Sequence, residues 1–266
     1  NLELIRLASN QLTEPPVKLL ELPNLSWVGL SDNPFLKHVN YSTTTDIFKI
    51  ITNLNEDNHD GIILGQGAGG VTKKLFHQGK PVAVKIYNGT MTSDGIPEME
   101  RSIYRKLAQL HESPALIQVV GECQGTGSLV MEFLDHYTAL ADPPSLETCS
   151  RDVYHYDKKR LLSSTEGRHI VTVLLDALTQ LHAVGICHGD VYGHNILMDR
   201  DTTCANVKLS DFGAAFFYDT NHHSVWMERI ELRAFGILVE EIITNLLKND
   251  DDTILVELAT RCRSSS

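Results

Sequence analysis

The feature that most limits what this chain can be is the run His188-Gly189-Asp190-Val191-Tyr192-Gly193-His194-Asn195-Ile196-Leu197, with Asp211-Phe212-Gly213 after it. The run stands between an apolar, helical pattern ending near Val184 and the strand-like Val207-Lys208-Leu209-Ser210. An Asp, an Asn five residues on, and a second Asp just past a short strand suit phosphoryl transfer. One carboxylate orients an attacking hydroxyl and accepts its proton, while the Asn and the second Asp hold magnesium against nucleotide phosphates. Asp190 alone would say little, because Asp and Asn are also turn formers. The three-part order carries the reading.

A second phosphate-directed element precedes it. A strand beginning at Ile62 leads into Leu64-Gly65-Gln66-Gly67-Ala68-Gly69-Gly70-Val71-Thr72, where Gly65, Gly67 and Gly70 match G-x-G-x-x-G. A dinucleotide-binding loop of that pattern must run into a helix. Here residues 73–80 lead to Pro81-Val82-Ala83-Val84-Lys85-Ile86-Tyr87, which reads as a second strand, so the glycines sit in a hairpin. Backbone without side chains can lie over phosphates, and Lys85 on the second strand can reach them as a point charge. Pro97 stands where a helix starts, Glu98 and Glu100 favour its first turn, and Ile103, Leu107 and Leu110 recur at helical spacing. A buried Glu on this helix would pair with Lys85 and aim it. Glu100 is the choice, because Ile103 and Leu107 follow it at +3 and +7, with Glu98 as the alternative.

Residues 116–120 and 128–133 read as a strand pair around a turn-rich 123–127. The second strand runs on into loop, which supplies an apolar slot with backbone donors and acceptors for an adenine. A helix is expected from Ser164, with a Ser or Thr cap and Glu166 in its first turn. It would bury Ile170, Val173, Leu174, Ala177, Leu178 and Leu181, and His182 reads as a packed or capping histidine. Lys158-Lys159-Arg160 reads as a solvated face.

The chain opens differently. Leu2, Ile5, Leu7, Asn10 and Leu12 fit L-x-x-L-x-L-x-x-N-x-L, and Leu25, Val28, Leu30, Asn33 and Phe35 fit it again 23 residues later. That period belongs to leucine-rich repeats, in which alternating apolar residues line a short strand and the Asn side chain bonds the backbone of the turn. Two repeats bury too little alone, so they close a longer array or pack on the next domain. Residues 36–60 read as a connector, with Phe48, Ile50 and Ile51 apolar enough to dock on something.

Hydrophobic content of 42%, 21% charged residues and a net charge of −11 describe a soluble globular chain and argue against a nucleic-acid binder. Five scattered cysteines with no C-x-x-C pair suggest neither a disulfide framework nor a zinc site, and a cytoplasmic location is expected. The most apolar run, 170–186, is interrupted by Asp176, Gln180 and His182, so no membrane span is expected. His222 and His223 are adjacent and read as exposed rather than as metal ligands.

From Leu64 to Gly236 the chain resembles the protein kinase superfamily. The resemblance rests on the glycine loop, Val82-Ala83-Val84-Lys85, residues 129–134, His188-Gly189-Asp190 through Asn195, and Asp211-Phe212-Gly213. With the leading repeats and Thr92-Ser93-Asp94-Gly95, it looks like the bacterial leucine-rich-repeat protein kinase family. The resemblance implies an α+β, bilobal kinase-like fold with a shortened C-terminal lobe. Its divisions would be repeats over 1–40, a connector over 41–60, an N-terminal lobe over 61–134 and a C-terminal lobe over 135–266. Lys85 and Glu100 would be the ion pair, Asp190 the catalytic base, and Asn195 and Asp211 the magnesium ligands. ATP would lie against Leu64, Gly65, Gln66, Gly67, Gly70, Ala83, Lys85, Met131, Glu132, Leu134 and Leu197, with Met131 behind the adenine and Glu132 starting the hinge.

Four departures stand out. Gly189 replaces the arginine of the usual His-Arg-Asp, and Tyr192 replaces the lysine that usually follows the catalytic Asp by two. Glu231 replaces the Asp that orders the catalytic loop from below, and no Ala-Pro-Glu follows the short 214–227. The expected activity is ATP- and magnesium-dependent transfer to a protein Ser or Thr hydroxyl (Tyr also open), with the repeats offering a protein ligand site. The alternatives are a small-molecule kinase of the aminoglycoside- or choline-kinase type and an inactive scaffold. Without the arginine, activity is expected not to depend on phosphorylation of Tyr218, Thr220 or Ser224.

Overall fold

The structure is a computed structural model that describes residues 2–36, 49–52, 54, 61–89, 91–109, 113–155, 160–201, 206–220, 224–248 and 252–264. Of the expectations above, those on Phe48, Leu110, Lys158, Lys159, His222 and His223 lie outside the described residues.

The chain begins with β1 (Leu4–Arg6), a one-turn α1 (Val17–Leu20) and β2 (Trp27–Gly29). β1 and β2 pair in parallel, with Leu4 opposite Trp27. The turn that follows each strand is held by one side chain. Asn33 Oδ1 accepts from the backbone N–H of Asn10 and Leu12, each at 3.1 Å, and its Nδ2 donates to the carbonyls of Leu7 and Leu30, each at 2.8 Å. A buried amide with all its bonding capacity used in this way replaces a ladder where the backbone has none. The apolar side chains of this unit do not close on one another. Leu20, Leu25, Val28, Leu30 and Leu36 form one buried cluster with Cys187, Phe216, Tyr218, Met227 and Ile230 from the helical part of the molecule.

A six-stranded sheet follows. β3 (Ile50–Ile51), β4 (Ile62–Gly67), β5 (Gly70–His77) and β6 (Lys80–Tyr87) are succeeded by α2 (Pro97–Leu107), β7 (Val119–Cys123) and β8 (Leu129–Glu132). The order across the sheet is β3-β7-β8-β6-β5-β4. Residues 73–80, expected to link two strands, mostly form a strand of their own, so Lys85 stands on the third strand of a meander. The sequence obscured β5 because Lys73 and Lys74 break its apolar alternation. Ile50 and Ile51, expected in the connector, pair with Glu122 and Cys123 at the sheet edge. The strand expected over 116–120 starts three residues later, at Val119, and Cys123 belongs to it rather than to the turn.

β9 (Tyr137–Ala139), α3 (Ser164–Ala183), β10 (Ile186–Cys187), β11 (Ile196–Asp199), β12 (Val207–Leu209), β13 (Phe216–Phe217), α4 (Ser224–Leu246) and α5 (Thr253–Ser264) complete the fold. α3 opens with a capping box: Ser163 accepts from the Glu166 N–H, and Glu166 accepts from the Ser163 N–H at 2.9 Å. Of its expected stripe, Val173 is only partly buried; Ile170, Leu174, Ala177, Leu178 and Leu181 are in the core. α4 begins four residues earlier than the acidic pattern at Glu228 suggested, which shortens the segment after Gly213. One apolar cluster joins the sheet and the helices, running from Ile103 and Tyr104 on α2 through Phe212 to Leu178 and Phe235.

Candidate active site

Lys85 emerges from β6 on the same side as Ala83, toward α2. Its Nζ lies 2.7 Å from Glu100 Oε1 and 2.8 Å from Asp211 Oδ1. Burial pulls the Lys85 ammonium down, but the two carboxylates outweigh it and its pKa lies above the ordinary value. Lys85 holds the Asp211 carboxyl down to about 2, so it is ionised across the working range. Glu98, the alternative partner, turns outward and binds Arg101 and Arg105 instead. Pro97 at the first helical position sets this phase: two residues, about 200° of helical turn, separate the exposed Glu98 from the buried Glu100.

Asp190 lies in the loop between β10 and β11. Its Oδ2 and its own carbonyl accept from Asn195 Nδ2, both at 2.9 Å. His194 stands beside them, its Nδ1 2.8 Å from the buried Asp152 and its Nε2 4.0 Å from Asp190 Oδ2. Burial pulls the His194 imidazole down, but its bond to Asp152 outweighs that and raises its pKa. The loop is fixed from below by Glu231 on α4. Its Oε1 accepts from the Gly189 N–H at 2.8 Å, and its Oε2 lies 2.6 Å from His182 Nε2. The longer Glu thus reaches the loop itself. Phe212 is buried edge-on to Tyr104 of α2, at 5.2 Å, and against His188, at 4.7 Å, so α2 and the Asp190 loop share one support.

The first segment of the chain completes the site. Arg6, the last residue of β1, places Nη2 2.7 Å from Asp190 Oδ1 and Nε 3.0 Å from Asp94 Oδ1. Trp27 stacks on Tyr192, and its indole N–H donates to the Val191 carbonyl at 3.2 Å. Asp94 belongs to a turn closed on Thr92, whose Oγ1 accepts from the N–H of Asp94 and Gly95. Gly95 packs so closely that a Cβ there would lie 2.7 Å from the Gly213 carbonyl.

A cleft of ≈ 580 Å³ collects these groups. Gly65, Gln66, Gly67 and Gly70 line it together with Lys85, Glu100, Asp190, Asn195 and Asp211, and with Leu4 and Arg6 from the first segment. The remaining nucleotide-contact candidates do not line it. Ala83 and Met131 face each other across β6 and β8 in the core, and Leu134 and Leu197 pack partly buried against it. Leu64 is largely exposed, and the Glu132 side chain turns to Lys208, at 2.9 Å.

The sequence profile of the protein kinase domain matches residues 59–232. The chain belongs to the protein kinase family. Among its curated relatives, a "Probable LIM domain-containing serine/threonine-protein kinase" of Dictyostelium discoideum is 26% identical over 69% of this chain and 20% of its own length. The "Probable serine/threonine-protein kinase roco5" of the same organism is 28% identical over 71% and 7%, and the "Probable serine/threonine-protein kinase PknB" of Lactococcus lactis 27% over 65% and 28%. This kinase domain thus spans less than a third of the length of these relatives. Residues 4–36 lie before the matched region, yet in this kinase domain they reach Asp190. Sequence reasoning missed Arg6 and Asp94. The available signal was the missing cation at position 192, which left the Asp190 loop without a lysine or arginine.

Proposed function

We propose that this chain is the catalytic part of an ATP- and magnesium-dependent protein kinase that phosphorylates Ser or Thr hydroxyls. The observation that carries this reading is the convergence of Lys85, Glu100, Asp190, Asn195 and Asp211 in one cleft under a glycine-rich hairpin. In this reading Glu100 aims Lys85 at the α- and β-phosphates of ATP, and the Asp190 carboxylate takes the proton of the attacking hydroxyl. The donor set fits magnesium, a hard cation served by one or two carboxylates and amide oxygens. Asp211 stays ionised, and Asn195 commits its Nδ2 to Asp190, which turns the amide oxygen the other way. Magnesium bound there would neutralise charge on the phosphates. The chain's own contribution is positioning and charge: Lys85 holds the phosphates, Asn195 fixes the Asp190 carboxylate, and Glu231 fixes the backbone beneath it.

The reading includes the first segment as leucine-rich repeats built into the helical lobe, supported by the parallel strands and the Asn33 bonds. Incubation with labelled ATP and magnesium, alone, with generic proteins and with a metabolite panel, tests it. Label on Ser or Thr of a protein supports the reading. Label confined to a metabolite replaces it with a small-molecule kinase, and no transfer without nucleotide binding replaces it with a scaffold.

A further inference from the structure

The Asp190 loop has lost the cation of its own sequence position: Tyr192 stands there, with its ring buried against Trp27. A positive charge nevertheless sits on Asp190, and it comes from residue 6. We infer that Arg6 is the cation of the transfer site, an arginine finger delivered by the first repeat to the transferring phosphoryl group.

Three observations carry this. The guanidinium is held from behind by Asp94, 3.0 Å from its Nε, and Asp94 belongs to the turn that packs on Gly213. Its orientation is therefore set by the 92–95 turn beside Gly213, before any substrate arrives. Next, Nη2 serves Asp190, but Nη1 is buried and has no hydrogen-bond partner among the described residues. An unmade donor of this kind carries a desolvation penalty, which a small turn of the guanidinium toward a phosphoryl oxygen in the cleft would relieve. The third observation separates a finger from a plug. The Arg6–Asp190 contact coexists with a closed Lys85–Glu100 pair and with an open cleft of ≈ 580 Å³ that Arg6 itself lines. A volume of that order accepts a nucleotide.

The chemistry then follows from distance. A hydroxyl bonded to Asp190 attacks a phosphorus about 3–3.5 Å from it, so the equatorial oxygens of that phosphoryl group come within reach of a guanidinium 2.7 Å from the same carboxylate. Each carboxylate oxygen has two acceptor positions, so Oδ1 can hold Arg6 and still take the hydroxyl proton. Arginine suits the task because its planar fork matches phosphate oxygens and stays charged. The bond to the acceptor oxygen forms, the bond to the ADP oxygen breaks, and the proton passes to Asp190. Arg6 takes no proton and stabilises the charge in transit.

The inference rests on the proposed kinase activity, and its test has one arm that does not. Arg6→Ala, Arg6→Lys and wild type are titrated with magnesium and a non-hydrolysable ATP analogue, and separately with magnesium and ADP. Arg6→Ala should weaken the triphosphate by about tenfold or more and leave ADP within about twofold, with Arg6→Lys in between. In the second arm, the rate of transfer to a generic protein should fall by about a hundredfold or more in Arg6→Ala. Millimolar guanidinium should restore part of it. Asp94→Asn, which keeps Arg6 but loosens its anchor, should lower the rate less than Arg6→Ala. A faster Arg6→Ala would show the contact to be inhibitory. Unchanged triphosphate affinity, or equal weakening of both nucleotides without guanidinium rescue, would reduce Arg6 to a structural ion pair. A wild type that binds the triphosphate through Arg6 but phosphorylates no protein overturns the proposed acceptor and leaves Arg6 standing. One that binds no nucleotide overturns both.

Discussion

Trp27 lies flat on Tyr192, ring centroids 4.4 Å apart and planes within 6° of each other. The contact joins a strand of the first segment to the middle of the Asp190 loop, and both rings are buried. Trp27→Ala removes a large fully buried side chain and the indole hydrogen bond to Val191. It should destabilise the protein by about 3–5 kcal/mol and slow transfer beyond the loss of folded protein. Chemical denaturation beside initial rates checks both, and a change below about 1 kcal/mol would mean that the two rings merely touch.

The same packing explains Gly189. Its φ is +75°, and a Cβ there would lie 2.7 Å from the Ala214 carbonyl and 3.2 Å from that of Val28. The place of the usual arginine is taken by the backbone of Ala214 and, behind it, of Val28 in the first segment. Gly189→Arg should therefore lower stability, by about 1–3 kcal/mol for the backbone alone, rather than confer control by phosphorylation. Thermal melts of Gly189→Ala and Gly189→Arg measure it. A variant as stable as wild type would show that β2 yields freely.

Much of this site was legible because its chemistry is local in sequence. Asp190 and Asn195 are five residues apart, and a helical phase picked Glu100 over Glu98 for Lys85. Arg6 was not legible, because 184 residues separate it from Asp190 and a strand arginine ordinarily faces water. The repeat pattern predicted short strands and an Asn bonded to turns, but not where the unit would dock. That depended on apolar residues such as Cys187 and Phe216, whose short strands carry no periodic signal. The adenine-side residues stand apart for the opposite reason. Ala83 and Met131 have the right neighbours in sequence, but the described cleft ends before reaching them.

Lys85 carries two loads. It faces the phosphate site and neutralises Glu100, whose carboxyl burial pushes up while Lys85 pulls it back. Lys85→Met should abolish transfer and also leave a buried carboxyl that must take a proton. Its melting temperature should therefore fall further behind wild type as pH rises, which a pair of pH-dependent melts measures. Asp211→Asn should weaken magnesium-ATP binding more than Asp190→Asn, because the second keeps the groups assigned to the metal. Equal losses in calorimetric titration would contradict that division of roles.

His182 and Glu231 give the fold a pH dependence. Burial pulls the His182 imidazole down and the Glu231 bond outweighs it, so its folded pKa is raised. Its contribution is complete below the unfolded value of about 6.5 and is lost as pH rises through the folded value. Burial pushes Glu231 up, the His182 bond outweighs it, and the pKa is lowered, so its contribution is lost only in acid. The stability gap between wild type and His182→Gln should shrink as pH is raised from about 6 to about 9. A gap that stays constant over that range would show that the pair does not titrate with folding.

Phosphorylation of the segment after Gly213 should not switch the enzyme. Tyr218 is buried, with its hydroxyl 3.0 Å from Glu228 Oε1 and 3.4 Å from the His182 carbonyl. A phosphate there would face a carboxylate and a carbonyl, which repel it, and it would have to push apart the cluster of Leu25, Val28 and Met227. Thr220 is exposed, but Gly189 offers no side chain to draw a phosphate toward Asp190. The order that a phosphorylated loop would supply is already provided by β1 and β2 packing on this segment. Phosphatase treatment, or joint replacement of Tyr218, Thr220 and Ser224 by Phe, Ala and Ala, should leave turnover within about twofold, a barrier change of about 0.4 kcal/mol. Tyr218→Phe should lower stability by about 1 kcal/mol through its lost hydrogen bonds. A hundredfold loss of turnover in a well-folded triple variant would make the segment a switch, and the first segment of the chain would then be its clamp rather than its replacement.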